Sequence, residues 1–107
     1  MKDRLARRRR REAAEYSEKR LMIYEIFGKN NNAARTYMDV LGWGRGMSFN
    51  EIAEHKLLSV RTIGKHLAIA VEVGVAVKEE NGSITLKEPT MEFLKGLIDK
   101  QDCMMEA

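Results

Sequence analysis

The apolar pattern of this chain changes its period at Gly74, and that switch constrains the fold more than any other feature. Upstream, Ile63, Leu67, Ala70 and Val71 recur at helical spacing, and Gly74 is a natural stop because glycine accepts the left-handed backbone that ends a helix. Downstream the period becomes two, with Val75 and Val77, then Asn81-Gly82, then Ile84 and Leu86. Asn-Gly between alternating apolar residues predicts a hairpin with a two-residue turn, which makes Lys78 and Thr85 cross-strand neighbours on the outer face. A second helix is marked just before the first. Ser48, three residues ahead of Glu51, forms a capping-box signature. Ile52 and Ala53 then face inward until the pattern breaks at Leu57-Leu58, and Ser59 supplies a fresh N-cap. From Ser48 to Leu86 the chain therefore reads helix, tight turn, helix, hairpin.

The residues that carry this pattern, Ile52-Ala53-Glu54, Leu58-Ser59, Thr62-Ile63, Leu67, Gly74 and Val77, resemble the winged helix-turn-helix of small transcriptional regulators of the MarR- and ArsR-like families. The resemblance covers about a third of the chain. It departs from the family at Leu57, where the turn often has glycine, and at Ala70, where a larger apolar residue is usual. It implies a mainly α fold with a small β-hairpin wing, in which Ala53 lets the two helices cross closely and Leu58 plugs the turn. It also implies binding to double-stranded DNA as a homodimer on a palindromic site. The chain's size and basic arm are similar, too, to those of small plasmid or viral regulators.

The flanks complete the expected architecture, with residues 1–28 as a basic helical arm, 33–88 as the winged domain and 89–107 as a C-terminal helix and tail. Asp3 to Phe27 lacks Pro and Gly and is rich in good helix formers. One helix of about 25 residues, about 37 Å long, is expected there, polar all round at first and then apolar on the side of Tyr16, Met22, Ile23, Ile26 and Phe27. Gly28 ends it. Asn32 is the expected cap of a short helix, Ala33 to Leu41, with Ala34, Tyr37, Met38 and Leu41 on one face. Gly42 to Gly46 reads as a bend without the lysine and hydroxyl residue of a phosphate loop. Trp43 within it is a core or interface anchor in preference to a base-stacking platform. Met47 and Phe49 are expected to supply a short third strand. After Pro89 and Thr90, a last helix from Met91 to about Gln101 carries Met91, Leu94, Leu97 and Ile98, and residues 102–107 are expected to fray. The apolar sides of the two terminal helices are the expected homodimer surface.

Charge is divided unevenly. Residues 1–20 hold nine Lys and Arg against four Asp and Glu, whereas the other 87 residues hold ten against twelve, so the net +3 comes from the arm. Five consecutive guanidiniums, Arg7, Arg8, Arg9, Arg10 and Arg11, favour phosphate contact, each neutralised phosphate adding about one unit to a log–log salt slope. The same run also suits a solubilising end, a localisation signal or a site for an acidic protein. With 44% apolar and 33% charged residues and no apolar run of membrane-spanning length, a globular intracellular protein is expected, cytoplasmic and without membrane contact. The single cysteine, Cys103, allows no internal disulfide.

For chemistry, the second helix of the motif is the most informative. With Ile63, Leu67 and Ala70 inward, its N-terminal exposed side displays Ser59, Arg61, Thr62, Lys65 and His66, the end of such a helix that meets base edges. Arg61 is suited to a bidentate guanine contact, Lys65 to a phosphate or a guanine, and Ser59 to a phosphate oxygen. The alternative is that Arg61 and Lys65 are solvated or paired with Glu54 or Glu72. Lys78, Asn81 and Ser83 are the wing residues for a minor groove or backbone, opposed by Glu79 and Glu80. His55 and His66, eleven residues apart with Cys103 distant, give no zinc spacing. No nucleophile has a base at hand. Neither an enzyme, a metal nor a cofactor is expected. A protein-interaction module, or a non-specific nucleic-acid binder working through the arm, are the competing functions.

Overall fold

The computed structural model describes residues 2–43 and 46–106, with side chains for 13–43 and 46–102. The fold is mainly helical with one small antiparallel sheet. In order along the chain come α1 (Lys2–Phe27), α2 (Asn31–Trp43), α3 (Phe49–Lys56), α4 (Val60–Val73), β1 (Ala76–Lys78), β2 (Ile84–Leu86) and α5 (Met91–Glu106). They fall into two compact units, Phe27–Glu88 and the pair of terminal segments Met1–Ile26 and Pro89–Ala107.

Local chemistry explains each boundary of the Phe27–Glu88 unit. Gly28 ends α1 at φ 60°, and the Asn30 amide returns to the Phe27 carbonyl at 3.2 Å. That tight exit lets α2 begin early. Asn30, whose carbonyl accepts from the Ala34 amide at 3.1 Å, takes the cap position in place of the expected Asn32. At its far end α2 continues through Gly42 to Trp43, so those two residues are helical and not part of a bend; Gly44 and Arg45 lie outside the described residues. The Ser48 capping box is present in full, the Ser48 hydroxyl accepting from the Glu51 amide at 3.2 Å and the Ser48 amide donating to Glu51 Oε1 at 3.3 Å. It turns Phe49 into the first helical residue and leaves Met47 to pack on the core. The expected third strand is absent among the described residues.

Helices α3 and α4 end alike. The Leu57 amide reaches the Ala53 and Glu54 carbonyls and the Leu58 amide reaches Ala53 at 3.0 Å; the Gly74 amide reaches Ala70 and Val71 and the Val75 amide reaches Ala70 at 3.0 Å. Both are Schellman caps, which require one left-handed residue. Gly74 takes that conformation freely at φ 97°, but at the end of α3 a leucine is forced into it at φ 55°. Leu57 is 91% exposed, and Leu58, which the resemblance made the plug of the turn, is itself 38% exposed.

The hairpin is real, but its register differs from the expectation by one residue. Val77 pairs with Thr85 and Lys78 with Ile84. Asn81-Gly82 is not the centre of a two-residue turn: the Gly82 amide bonds to the Glu79 carbonyl at 3.0 Å and the Glu79 amide to Ser83 at 2.8 Å. Glu80 and Asn81 are thus the centre, and Gly82 follows at φ 88°, a three-residue loop with a bulge. One consequence is that Ala76, Ile84 and Leu86 face the core while Val77, 42% exposed, joins Thr85 on the outer side. Val75 is buried all the same, because it follows the cap residue and packs back on the helix.

The core of this unit lies around α4, which packs on α2, α3 and β1. Ile52, Ala53, Ile63 and Leu67 are buried, with Val40, Trp43, Met47, Phe49, Ile84 and Leu86 set against them. Trp43 is thus a core contributor, its ring 5.0 Å from that of His55. Tyr37 is wholly buried, its ring 5.8 Å from Phe27 and its hydroxyl donating to the Lys87 carbonyl at 2.6 Å. Burial pushes this phenol well above its ordinary range.

In the unit of terminal segments, Ile23, Ile26 and Leu94 are buried and the Gln101 amide donates to the Ile26 carbonyl at 3.2 Å. Tyr16, placed by periodicity on the apolar side of α1, is instead 63% exposed. Thr90 caps α5 by accepting from the Phe93 amide at 3.2 Å, and the helix continues to Glu106 instead of fraying after Gln101.

Two stability changes are expected. Leu57→Gly relieves a left-handed backbone without removing any burial and raises stability by about 0.5–1 kcal/mol, read as a higher urea midpoint at unchanged m-value. Tyr37→Phe removes the donor to Lys87 and lowers stability by about 1 kcal/mol in the same measurement.

Candidate nucleic-acid interface

Helix α4 presents a narrow outward face because three sides of it are covered. Ile63, Leu67 and Ala70 are buried, whereas Arg61, Lys65, Ala68 and Glu72 are exposed. At 100° per residue those four lie within about 60° of one another, a single stripe along the helix. Its N-terminal half carries two cations, its middle a methyl group and its far end a carboxylate. Among the described residues neither Arg61 nor Lys65 has an ion-pair partner; the pairing there is between Lys56 and Asp39. The stripe starts at a rigid point. Ser59 Oγ accepts from the Thr62 amide at 3.1 Å and shares a 2.8 Å hydrogen bond with Thr62 Oγ1. These two hydroxyls first fix the helix start, and what remains of their capacity faces out beside Arg61.

His66 does not join the stripe. Its Nδ1 lies 2.8 Å from Thr36 Oγ1, and the Thr36 hydroxyl donates to the Asn32 carbonyl at 3.2 Å. With that hydrogen committed, Thr36 accepts from His66 Nδ1–H. Thr36 is fully buried, so the bond satisfies a polar group that would otherwise be costly in the core. The sequence signalled His66 as a ligand-facing residue because helical spacing gives no sign of the α2 hydroxyl beside it. Burial, and then the charge of Lys56, hold its imidazole below the ordinary histidine value.

The hairpin contributes less than its composition promised. Asn81 Oδ1 accepts from the Ser83 amide at 3.0 Å and from the Ser83 hydroxyl at 2.7 Å, so both side chains are engaged in shaping the loop. Lys78 is exposed, with Glu79 and Glu80 next to it. Arg7, Arg8, Arg9, Arg10 and Arg11 stand on α1, but their side chains lie outside the described residues. Sequence reasoning passed over one set of residues here: Lys29, Asn30 and Asn31, with Asn32, expected only as a helix cap, border a groove with Thr62, Lys65 and His66. Among the described residues there is no cluster of three metal-ligating side chains and no helix long and apolar enough to cross a membrane.

Comparison with protein-family models, with curated proteins and with solved structures finds no match to this chain.

The depressed imidazole has a pH signature. Because the native His66 resists protonation, its contribution to stability is complete above about pH 6.5 and is lost as the pH falls through the lower native value. Urea unfolding at pH 7.5 and pH 5 is therefore expected to show a larger acid loss in the native protein than in His66→Gln. Equal losses in the two would remove His66 as the source.

Proposed function

We propose that this chain is a sequence-specific double-stranded-DNA-binding transcriptional regulator built on a winged helix-turn-helix. Helix α4 lies in the major groove and the β1–β2 hairpin acts as the wing. The observation that carries the reading is the outward stripe of α4, where Arg61 and Lys65 stand exposed without ion-pair partners among the described residues, directly after the Ser59 cap. A guanidinium fork suits the adjacent acceptors of guanine, and an ammonium suits a phosphate or the same base. The remaining face supports close approach, since Ala68 adds no bulk where the helix passes the groove floor. Glu72, further along, opposes phosphate and favours contact through the N-terminal end.

In this reading the arginines of α1 supply affinity through counterion release and carry no sequence information. The chain acts as a homodimer through its terminal helices, whose spare apolar surface includes Leu21, 71% exposed. A two-fold dimer reads half-sites about one helical turn, or about 34 Å, apart. The exposure of Leu57 and Leu58 in the turn before α4, and of Val60 at the helix start, favours a second reading, an interaction module for another protein.

Fluorescence anisotropy with a random duplex pool across a salt series separates these. Arg61→Ala is expected to lose the preference for selected sites, a discrimination of about 1–3 kcal/mol, with the salt slope reduced by at most about one unit. Removal of residues 1–11 is expected to flatten the slope while preserving the preference. A full-length chain that selects no site, and is indifferent to Arg61→Ala, rejects the regulator reading in favour of the interaction module or a non-specific binder.

A further inference from the structure

A groove of about 440 Å³ opens between the connector leading into α2 and the flank of α4. Lys29, Asn31 and Asn32 stand on one wall, and Thr62, Lys65 and His66 on the other. Two ammonium groups, three side-chain amides and a hydroxyl supply the donors, an imidazole, Ala33 and Ile69 complete the lining, and among the described residues no carboxylate lines it. Neither lysine has an ion-pair partner among those residues, so both charges remain available to a ligand. The imidazole is held from behind by Nδ1–H donating to buried Thr36, so Nε2 carries a lone pair and His66 borders the groove as a reporter while the lysines, the amides and Thr62 supply the donors. Lys65 belongs both to this lining and to the outward stripe of α4, making the groove continuous with the proposed DNA face.

We propose that this groove seats a phosphate group. The ligand class follows from the lining: a compact, multiply charged oxyanion accepts from several N–H and O–H donors at once, which no apolar or cationic ligand does. The inference deepens the DNA reading and depends on it only for the source of the phosphate. In a duplex complex the phosphate is a backbone diester beside the strand that α4 reads, and Lys29 becomes a positioning contact about 35 residues away in sequence from Lys65. Free phosphate or pyrophosphate offers the same chemistry from another source.

The test uses the full chain, with Lys29→Gln as the variant; Lys29 is exposed, and the change removes charge without altering the core. Nuclear magnetic resonance follows the His66 imidazole and the Asn31 side-chain amide during titration with pyrophosphate and, separately, with a selected duplex. Saturable shifts at both groups, weakened at least about threefold by Lys29→Gln, are expected. For the duplex, Lys29→Gln is expected to lower affinity equally for all sequences and to reduce the salt slope by about one unit, with the Arg61-dependent preference intact. Pyrophosphate shifts without a duplex effect still support the phosphate seat and assign it to a free anion. A duplex effect alone supports it as a backbone contact. The proposal is overturned if neither titrant moves His66 and Asn31, or if Lys29→Gln changes neither response. A failure of duplex selection with Arg61 intact counts against the regulator reading instead, because the pyrophosphate arm is independent of it.

Discussion

Burial of one side of α4 is the interaction on which the Phe27–Glu88 unit depends. Ile63, Leu67 and Ala70 are removed from water by α2, α3 and the start of the hairpin. Complete burial of an isoleucine or leucine side chain contributes about 1.5–3 kcal/mol. With that side buried, the most exposed face of this helix is the stripe of Arg61, Lys65, Ala68 and Glu72. The packing that stabilises the unit is therefore also what aims its charged residues. A cavity at Ile63 or Leu67 would do more than cost stability; it would loosen the orientation of Arg61.

Polar ties set the surrounding elements against this core. Tyr37 binds α2 to the backbone just after β2, Thr36 binds α2 to α4 through His66, and the Lys56–Asp39 pair joins α3 to α2. The first two involve groups that are themselves buried, and a buried donor or acceptor tolerates few alternative positions. They supply register where apolar contacts supply only attraction. The third is partly exposed, and such pairs contribute little to stability.

The two Schellman caps show how the same backbone requirement is met at different cost. Gly74 accepts the left-handed conformation without strain, whereas Leu57 holds it against its own Cβ and exposes its side chain as well. A residue kept both strained and exposed contributes nothing to folding that glycine would not improve. That leaves Leu57, with Leu58 and Val60, as exposed apolar surface at the start of α4.

Much was legible in the sequence because it is local. The Ser48 capping box, the Ser59 and Gly74 caps, the length of α1 and the presence of a hairpin after Gly74 all depend on residues within four positions of one another, and the structure has each of them. Legible too was the exposure of Arg61 and Lys65, since Ile63, Leu67 and Ala70 fix which face of α4 is inward. The sequence by itself thus determined that five helices form, where α1, α3 and α4 stop, and which face of α4 turns outward. Only the tertiary structure decided that His66 turns to a hydroxyl on α2, that Lys29 to Asn32 face Thr62 and Lys65 across a groove, and that a three-residue loop shifts the hairpin so that Thr85 meets Val77 and not Lys78. The physical reason is separation along the chain. Thr36 and His66, or Lys29 and Lys65, lie some thirty residues or more apart, and no periodicity within one helix records what packs against it from another.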